Sequence, residues 1–295
     1  MAEPLFERLC LLGVGLIGSS LARVARARGD LARTVVAHAK SEATLARVEQ
    51  LGIADVVEAD AARAVAGADC VIFCVPVGAY AELMAQIAPH LAPGVILTDV
   101  GSTKMSVLRD LGPLLPEGAH LVPAHPMAGT EHSGPDAGFA ELFEGRYCIV
   151  TPLPGGDPVA LEKVREFWRR CGSMIETLDP ATHDKVVAIV SHLPHLIAFT
   201  ICSTADDLAD ETKESVLKFA ASGFRDFTRI AASDPTMWRD VFLNNREALL
   251  EMLARFTEDA QALGRAVRWG QADYIEDRIR RGRKIRRGLI ERKQA

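Results

Sequence analysis

Leu9-Cys10-Leu11-Leu12-Gly13-Val14-Gly15-Leu16-Ile17-Gly18-Ser19-Ser20-Leu21 carries an apolar run straight into GxGxxG and then into a helical pattern. That order suits a dinucleotide pyrophosphate. The apolar run reads as a buried first strand, Gly13 permits a tight turn, Gly15 lets the backbone approach the phosphates, and Gly18 lets helix pack closely on strand. The helix beginning near Leu16 and Ile17 aims its first amides at the anion. Structural turns also carry such glycines, so the context matters. Leu16, Ile17, Leu21 and Val24 recur at helical spacing, and a second β-like run, Thr34 to Ala37, follows at the distance a βαβ unit needs.

Working outward, strand-like runs at Leu9–Leu12, Thr34–Ala37, Cys70–Val75 and Val95–Val100 alternate with helical patterns from Leu16, Ser41 and Val77. This predicts an α/β, Rossmann-type doubly wound parallel sheet. Leu121–Pro123, Tyr147–Thr151 and Met174–Leu178 read as further strands, with a helix over Pro158–Cys171, so the dinucleotide-binding domain is expected to span 1–178. Beyond Asp179-Pro180 the chain reads as successive helices, and 179–295 is expected to form an all-helical C-terminal domain.

The 295 residues suffice for two domains, and 48% hydrophobic content excludes a disordered chain. A formal charge of -5 argues against a nucleic-acid partner. The six cysteines, 10, 70, 74, 148, 171 and 202, form no CxxC pair and fit a reducing cytoplasm. The first eight residues lack the form of a signal peptide, and no apolar run is expected to reach membrane-spanning length.

Where a second Rossmann strand often ends in an acid for the ribose 2′-hydroxyl, this chain has Ala37-His38-Ala39-Lys40-Ser41. Lys40 and Ser41 read either as a 2′-phosphate site or as a solvated loop, which leaves NAD or NADP open. Ser102, in Asp99-Val100-Gly101-Ser102-Thr103-Lys104, falls where ligands bind in open sheets and reads as a nicotinamide-side group, a helix N-cap, or both. His125 follows a short strand, and Pro126 holds it extended. Near an alcohol, a neutral imidazole takes the proton while hydride leaves the same carbon; the alternative is a structural histidine. Glu131 reads as a surface carboxylate or as partner to a cation at a pocket mouth.

GVGLIGSSLA, DVGSTK, HPMAGTEHSG, VSHLPHLIAF and GFRDFTRIAASDPTMW, spread from Leu9 to about Phe242, together resemble the prephenate and arogenate dehydrogenases of tyrosine biosynthesis. The resemblance implies oxidative decarboxylation of a cyclohexadienol carrying two carboxylates, with hydride passing to NAD(P)+. It implies that His125 accepts the ring-hydroxyl proton and that Ser102 orients that hydroxyl. His195, helped by Ser191, would line the pocket at the substrate side chain. Arg229 would take the ring carboxylate, whereas Arg225 reads as a surface or ion-pairing residue. Pro194 interrupts the helical pattern at this point, and such a kink opens space for a ligand. Trp238 reads as core, with a contributory pocket role as the alternative, and His192 as an exposed or core-edge residue outside the site. No metal is expected: HxxH at His192 and His195 lacks metal-site context.

Family members pair through the helical domain, so a homodimer is expected. With no fused chorismate mutase segment or regulatory module in these residues, feedback by tyrosine is expected at the active site itself. Two other readings are a β-hydroxyacid dehydrogenase and a non-catalytic NADP-binding sensor. The first places a catalytic lysine in a motif that Lys185, Lys213 and Lys218 lack, and the second needs neither His125 nor Arg229. Arg278 to Lys293 holds nine Arg or Lys against Glu291 and reads as a solvated terminal helix or as a surface for an acidic partner.

Overall fold

A computed structural model describes residues 3–207 and 218–291. Strands β1 (Phe6–Leu12), β2 (Ala32–His38), β3 (Val56–Glu58), β4 (Cys70–Phe73), β5 (Ile96–Asp99) and β6 (His120–Leu121) form one sheet in the order β3-β2-β1-β4-β5-β6. Every neighbouring pair is parallel. Helices α1 (Leu16–Arg28), α2 (Glu42–Leu51), α3 (Ala61–Val65), α4 (Tyr80–Ile87) and α5 (Met105–Leu111) supply the crossovers. The apolar run of β1 is explained by this arrangement. Leu9 and Leu11 join one buried cluster and Cys10 and Leu12 another, because successive side chains leave a strand on opposite faces and both faces are covered. Each buried leucine contributes about 1.5–3 kcal/mol.

The sheet does not continue as the sequence suggests. β7 (Ala124–Pro126), β8 (Tyr147–Val150) and β9 (Met174–Thr177) form a separate sheet in which β7 is antiparallel to β8 and β8 parallel to β9. Pro123 and Pro126 bracket the turn-off and donate no amide to a ladder. His125 therefore lies within a strand rather than after one. α6 (Pro158–Arg170) crosses from β8 to β9, started by Asp157, which accepts from the Ala160 amide, with Pro158 in the first turn.

α7 (Pro180–Val187), a π-helical turn (Ala188–His192) and α8 (Leu193–Asp206) run on as one 27-residue helix. The kink expected at Pro194 takes the form of this widened turn, which absorbs the missing amide. By length and composition this helix is apolar enough to cross a membrane, which corrects the sequence reading. Its His183 and Asp184 are hydrogen-bonded to other elements of the fold. α9 (Ser222–Thr228) leads through a tight turn (Arg229–Ala232) to α10 (Pro235–Asn244), capped by Asp234.

These elements make one compact unit, residues 1–246; α11 (Arg246–Arg268) and α12 (Ala272–Glu291) make up the second, 247–295. This division falls later than the expected 178/179 boundary. The reason is local: Asp184 on α7 caps α5, and Asn245 donates to the Asp184 carbonyl, so α7 to α10 group with the sheet. Lys213, Arg292 and Lys293 lie outside the described residues.

Candidate active site

The glycine loop opens a cleft of about 370 Å³ at the carboxyl ends of β1, β2 and β4. Gly13 has φ +102°, and a Cβ there would press against the Cys74 carbonyl group at 2.9 Å. A Cβ on Gly18 would overlap the Gly13 carbonyl oxygen. Gly15, by contrast, faces open space, and no side chain caps α1, so its first amides are available to an anion. This cradle fits a dinucleotide pyrophosphate. Leu16 and Ile17 pack their side chains against the core rather than lining the cleft, which leaves their backbone amides for that task. Lys40 and Ser41 both line the cleft; Ser41 also caps α2 by accepting from the Thr44 amide.

One loop lines the cleft with Gly134 and Pro135, and Glu131 lies three residues before Gly134 in the same loop. Arg47 on α2 clasps Asp136 with contacts of 2.7–3.1 Å, and Arg23 on α1 donates to the Pro135 carbonyl at 3.0 Å. None of these pins was evident from the sequence.

His125 is buried, and its Nδ1 lies 2.8 Å from His183 Nε2, whose own Nδ1 lies 2.8 Å from Asp184 Oδ1. The hydrogen-bond chain assigns the protons. The carboxylate must accept, so His183 carries its proton on Nδ1 and accepts through Nε2. His125 then donates through Nδ1, and its Nε2 is left with a lone pair. Burial, followed by the nearby His183 and Lys104, pushes His125 well below the usual histidine range, so it is neutral near pH 7. Burial likewise lowers His183, against the opposing effect of the hydrogen bond it donates to Asp184.

Ser102 does not cap a helix. Asp184 caps α5 instead, accepting from the amides of Lys104 at 2.7 Å and Met105 at 2.9 Å. Ser102 sits in the loop after β5, and that loop is laced to the His125 strand by a buried ion pair. Lys104 Nζ donates to Asp99 at 2.6 Å and to the Ala124 carbonyl at 2.7 Å, while Asp99 accepts from the Ala124 amide.

His195 stacks on Trp238, with ring centroids 3.6 Å apart. Its Nδ1 donates to the Ser191 carbonyl at 2.9 Å, and burial lowers its pKa, so its Nε2 is an acceptor. Trp238 is buried in a cluster with His192, Phe199 and Phe242. Arg229 Nη1 lies 3.6 Å from Glu131 Oε2, an exposed pair that brings two expected site residues together. His192 is fully buried, which corrects its reading as an exposed or core-edge residue. Its Nδ1 accepts from Asn245, leaving Nε2 without a protein partner, and burial pushes its pKa down to about 4. Among the described residues, no group of three or more His, Cys, Asp or Glu is placed to hold a metal ion.

Residues 21–177 match the family model for the nucleotide-binding domain of prephenate dehydrogenase, and 179–281 that for its dimerization domain. The chain belongs to the prephenate dehydrogenase family. A cyclohexadienyl dehydrogenase from Zymomonas mobilis is 39% identical over 285 residues, covering 96% of each chain. Prephenate dehydrogenase from Aquifex aeolicus, solved with hydroxyphenyl propionate and NAD+, superposes with a TM-score of 0.87 at 31% identity, over 96% of this chain and 98% of that one. Arogenate dehydrogenase from Synechocystis gives 0.79 at 25% identity, over 96% and 99%. These findings favour the dehydrogenase reading over the β-hydroxyacid dehydrogenase and sensor alternatives.

The sequence singled out Ser102, His125, Glu131, Ser191, His195, Arg229 and Trp238 as candidates, but not His183, Asp184 and Lys104, which the structure joins to the His125 strand. His183-Asp184 belongs to no motif that was read, and Lys104 was quoted within DVGSTK without a role.

Proposed function

We propose that this enzyme oxidises and decarboxylates both prephenate and arogenate, with His125 as proton acceptor and Ser102 as the group that orients the ring hydroxyl. NAD(P)+, held by the Gly13–Gly18 loop and the amides of Leu16 and Ile17, supplies the hydride acceptor. His125 Nε2 takes the hydroxyl proton as the carbinol hydride departs. The new carbonyl draws in the electron pair of the bond to the ring carboxylate, carbon dioxide leaves, and the ring becomes aromatic. Arg229 grips the ring carboxylate before that step. Its exposed pairing with Glu131 is worth no more than about 1 kcal/mol, so the guanidinium is readily redirected to substrate, with Glu131 remaining at the pocket mouth.

His195 and Ser191 hold the substrate side chain against Trp238. An accepting Nε2 on His195 suits the ammonium of arogenate, which supports arogenate use alongside prephenate. Residues 1–178 serve as the cofactor domain, and 179–295 as the helical substrate and dimerisation domain. The exposed Phe256, Val267, Trp269, Ile279 and Ile285 support a homodimer. Six free cysteines fit a cytoplasmic location.

The observation that carries the reading is the buried, neutral His125 whose free nitrogen is set by His183 and Asp184. The test is NADH or NADPH formation from each substrate by wild type and His125→Asn. The variant is expected to lose about 100-fold or more in kcat with a modest change in KM. Full turnover by the variant would refute the assignment.

A further inference from the structure

The cofactor cleft lacks the acid that usually ends a second Rossmann strand, yet it has a carboxylate. Glu82, in the first turn of α4, lines the same cleft as Lys40, Ser41 and Thr44. Its Oε1 lies 3.6 Å from Lys40 Nζ, so the two side chains meet at the end of β2, where the cofactor's 2′ position is read in this fold. Both are mostly exposed, 73% for Lys40 and 66% for Glu82. A pair so exposed adds little to stability, and either member can be drawn to a ligand at little cost.

We infer that the Lys40–Glu82 pair is an exchangeable reader of the cofactor's 2′ position, Glu82 accepting the ribose hydroxyls of NAD+ and Lys40 binding the 2′-phosphate of NADP+. The chemistry of the two partners is complementary. A carboxylate only accepts, which suits a 2′-hydroxyl and repels a phosphate; an ammonium only donates, which suits a phosphate. Ser41 adds to the phosphate arm. Its oxygen accepts from the Thr44 amide, but its hydroxyl proton remains free to donate. When NADP+ enters, Lys40 turns to the phosphate and Glu82 swings into solvent. When NAD+ enters, Glu82 turns to the ribose and Lys40 is released. One cleft thereby serves both nucleotides, and the balance between them is set by two surface side chains rather than by the backbone.

This inference rests on the dehydrogenase reading, and binding measured without turnover separates the two. Isothermal titration calorimetry with NADH, NADPH and the fragment 2′,5′-ADP is run on wild type, Glu82→Gln and Lys40→Gln. Glu82→Gln is expected to weaken NADH about tenfold while NADPH stays within about twofold or tightens. Lys40→Gln is expected to weaken NADPH and 2′,5′-ADP about tenfold while NADH stays within about twofold. If each variant shifts both nucleotides equally, or neither, the inference is overturned and the enzyme reading stands. If wild type binds neither nucleotide, the dehydrogenase reading falls with it.

Discussion

His183 provides the sharpest test of how the active site works, because it hydrogen-bonds His125 and is not itself one of the proposed substrate-binding groups. Replacing it with leucine removes the acceptor 2.8 Å from His125 Nδ1 and leaves that N–H buried and unpaired. Leaving such a donor unsatisfied costs about 1–3 kcal/mol. The cost falls on the arrangement that presents the Nε2 lone pair, so kcat should drop roughly 5- to 150-fold, with KM little changed. Glutamine is the informative companion. Its amide oxygen accepts from His125 and its amide nitrogen donates to Asp184, so His183→Gln should recover much of the lost kcat. The assay is steady-state reduction of NAD(P)+ with prephenate, run with thermal unfolding and NADH binding to verify the fold. A folded His183→Leu enzyme with wild-type kcat would show that Asp184 and His183 do not set the base.

Arg229→Ala should raise KM for both substrates about 10- to 100-fold with kcat nearly unchanged, since a charge-assisted contact to a carboxylate is lost; an unchanged KM would remove Arg229 from the pocket. Gly18→Ala drives a methyl into the Gly13 carbonyl oxygen, so α1 must move. A loss of about 1–3 kcal/mol in stability and weaker NADH binding are expected, read by melting and titration. The buried histidines make the fold acid-labile. His125, His183 and His192 all have folded pKa values below the ordinary 6.5, so the unfolded chain binds more protons and stability falls as pH drops below about 6.5. His192, at about 4 when folded, alone removes about 1 kcal/mol by about pH 5.5. Melting temperatures at about pH 7.5 and about pH 5.5 check this, and a flat profile would contradict the burial of the three rings.

The local sequence was enough for the nucleotide loop because each of its constraints acts within a few residues. Gly13 and Gly18 are needed for contacts between the turn and its own helix and strand, and the apolar run of β1 directly reflects burial on both faces. Motifs of similar length singled out Ser102, His125, His195 and Arg229 as candidates, and the second half read as helical because it holds almost no β-like run. Tertiary structure decided what depends on contacts across long stretches of chain. Asp184 caps a helix about 80 residues away and orients a histidine that orients His125 from 58 residues away. Lys104 and Asp99 stitch the Ser102 loop to the His125 strand, and Glu82 comes to face Lys40 only because α4 and the end of β2 border one cleft. A hydrogen bond or ion pair carries no mark of its partner in the linear chain. Periodicity reveals which face of an element is buried, whereas the choice of which polar group meets which is made only when the elements pack.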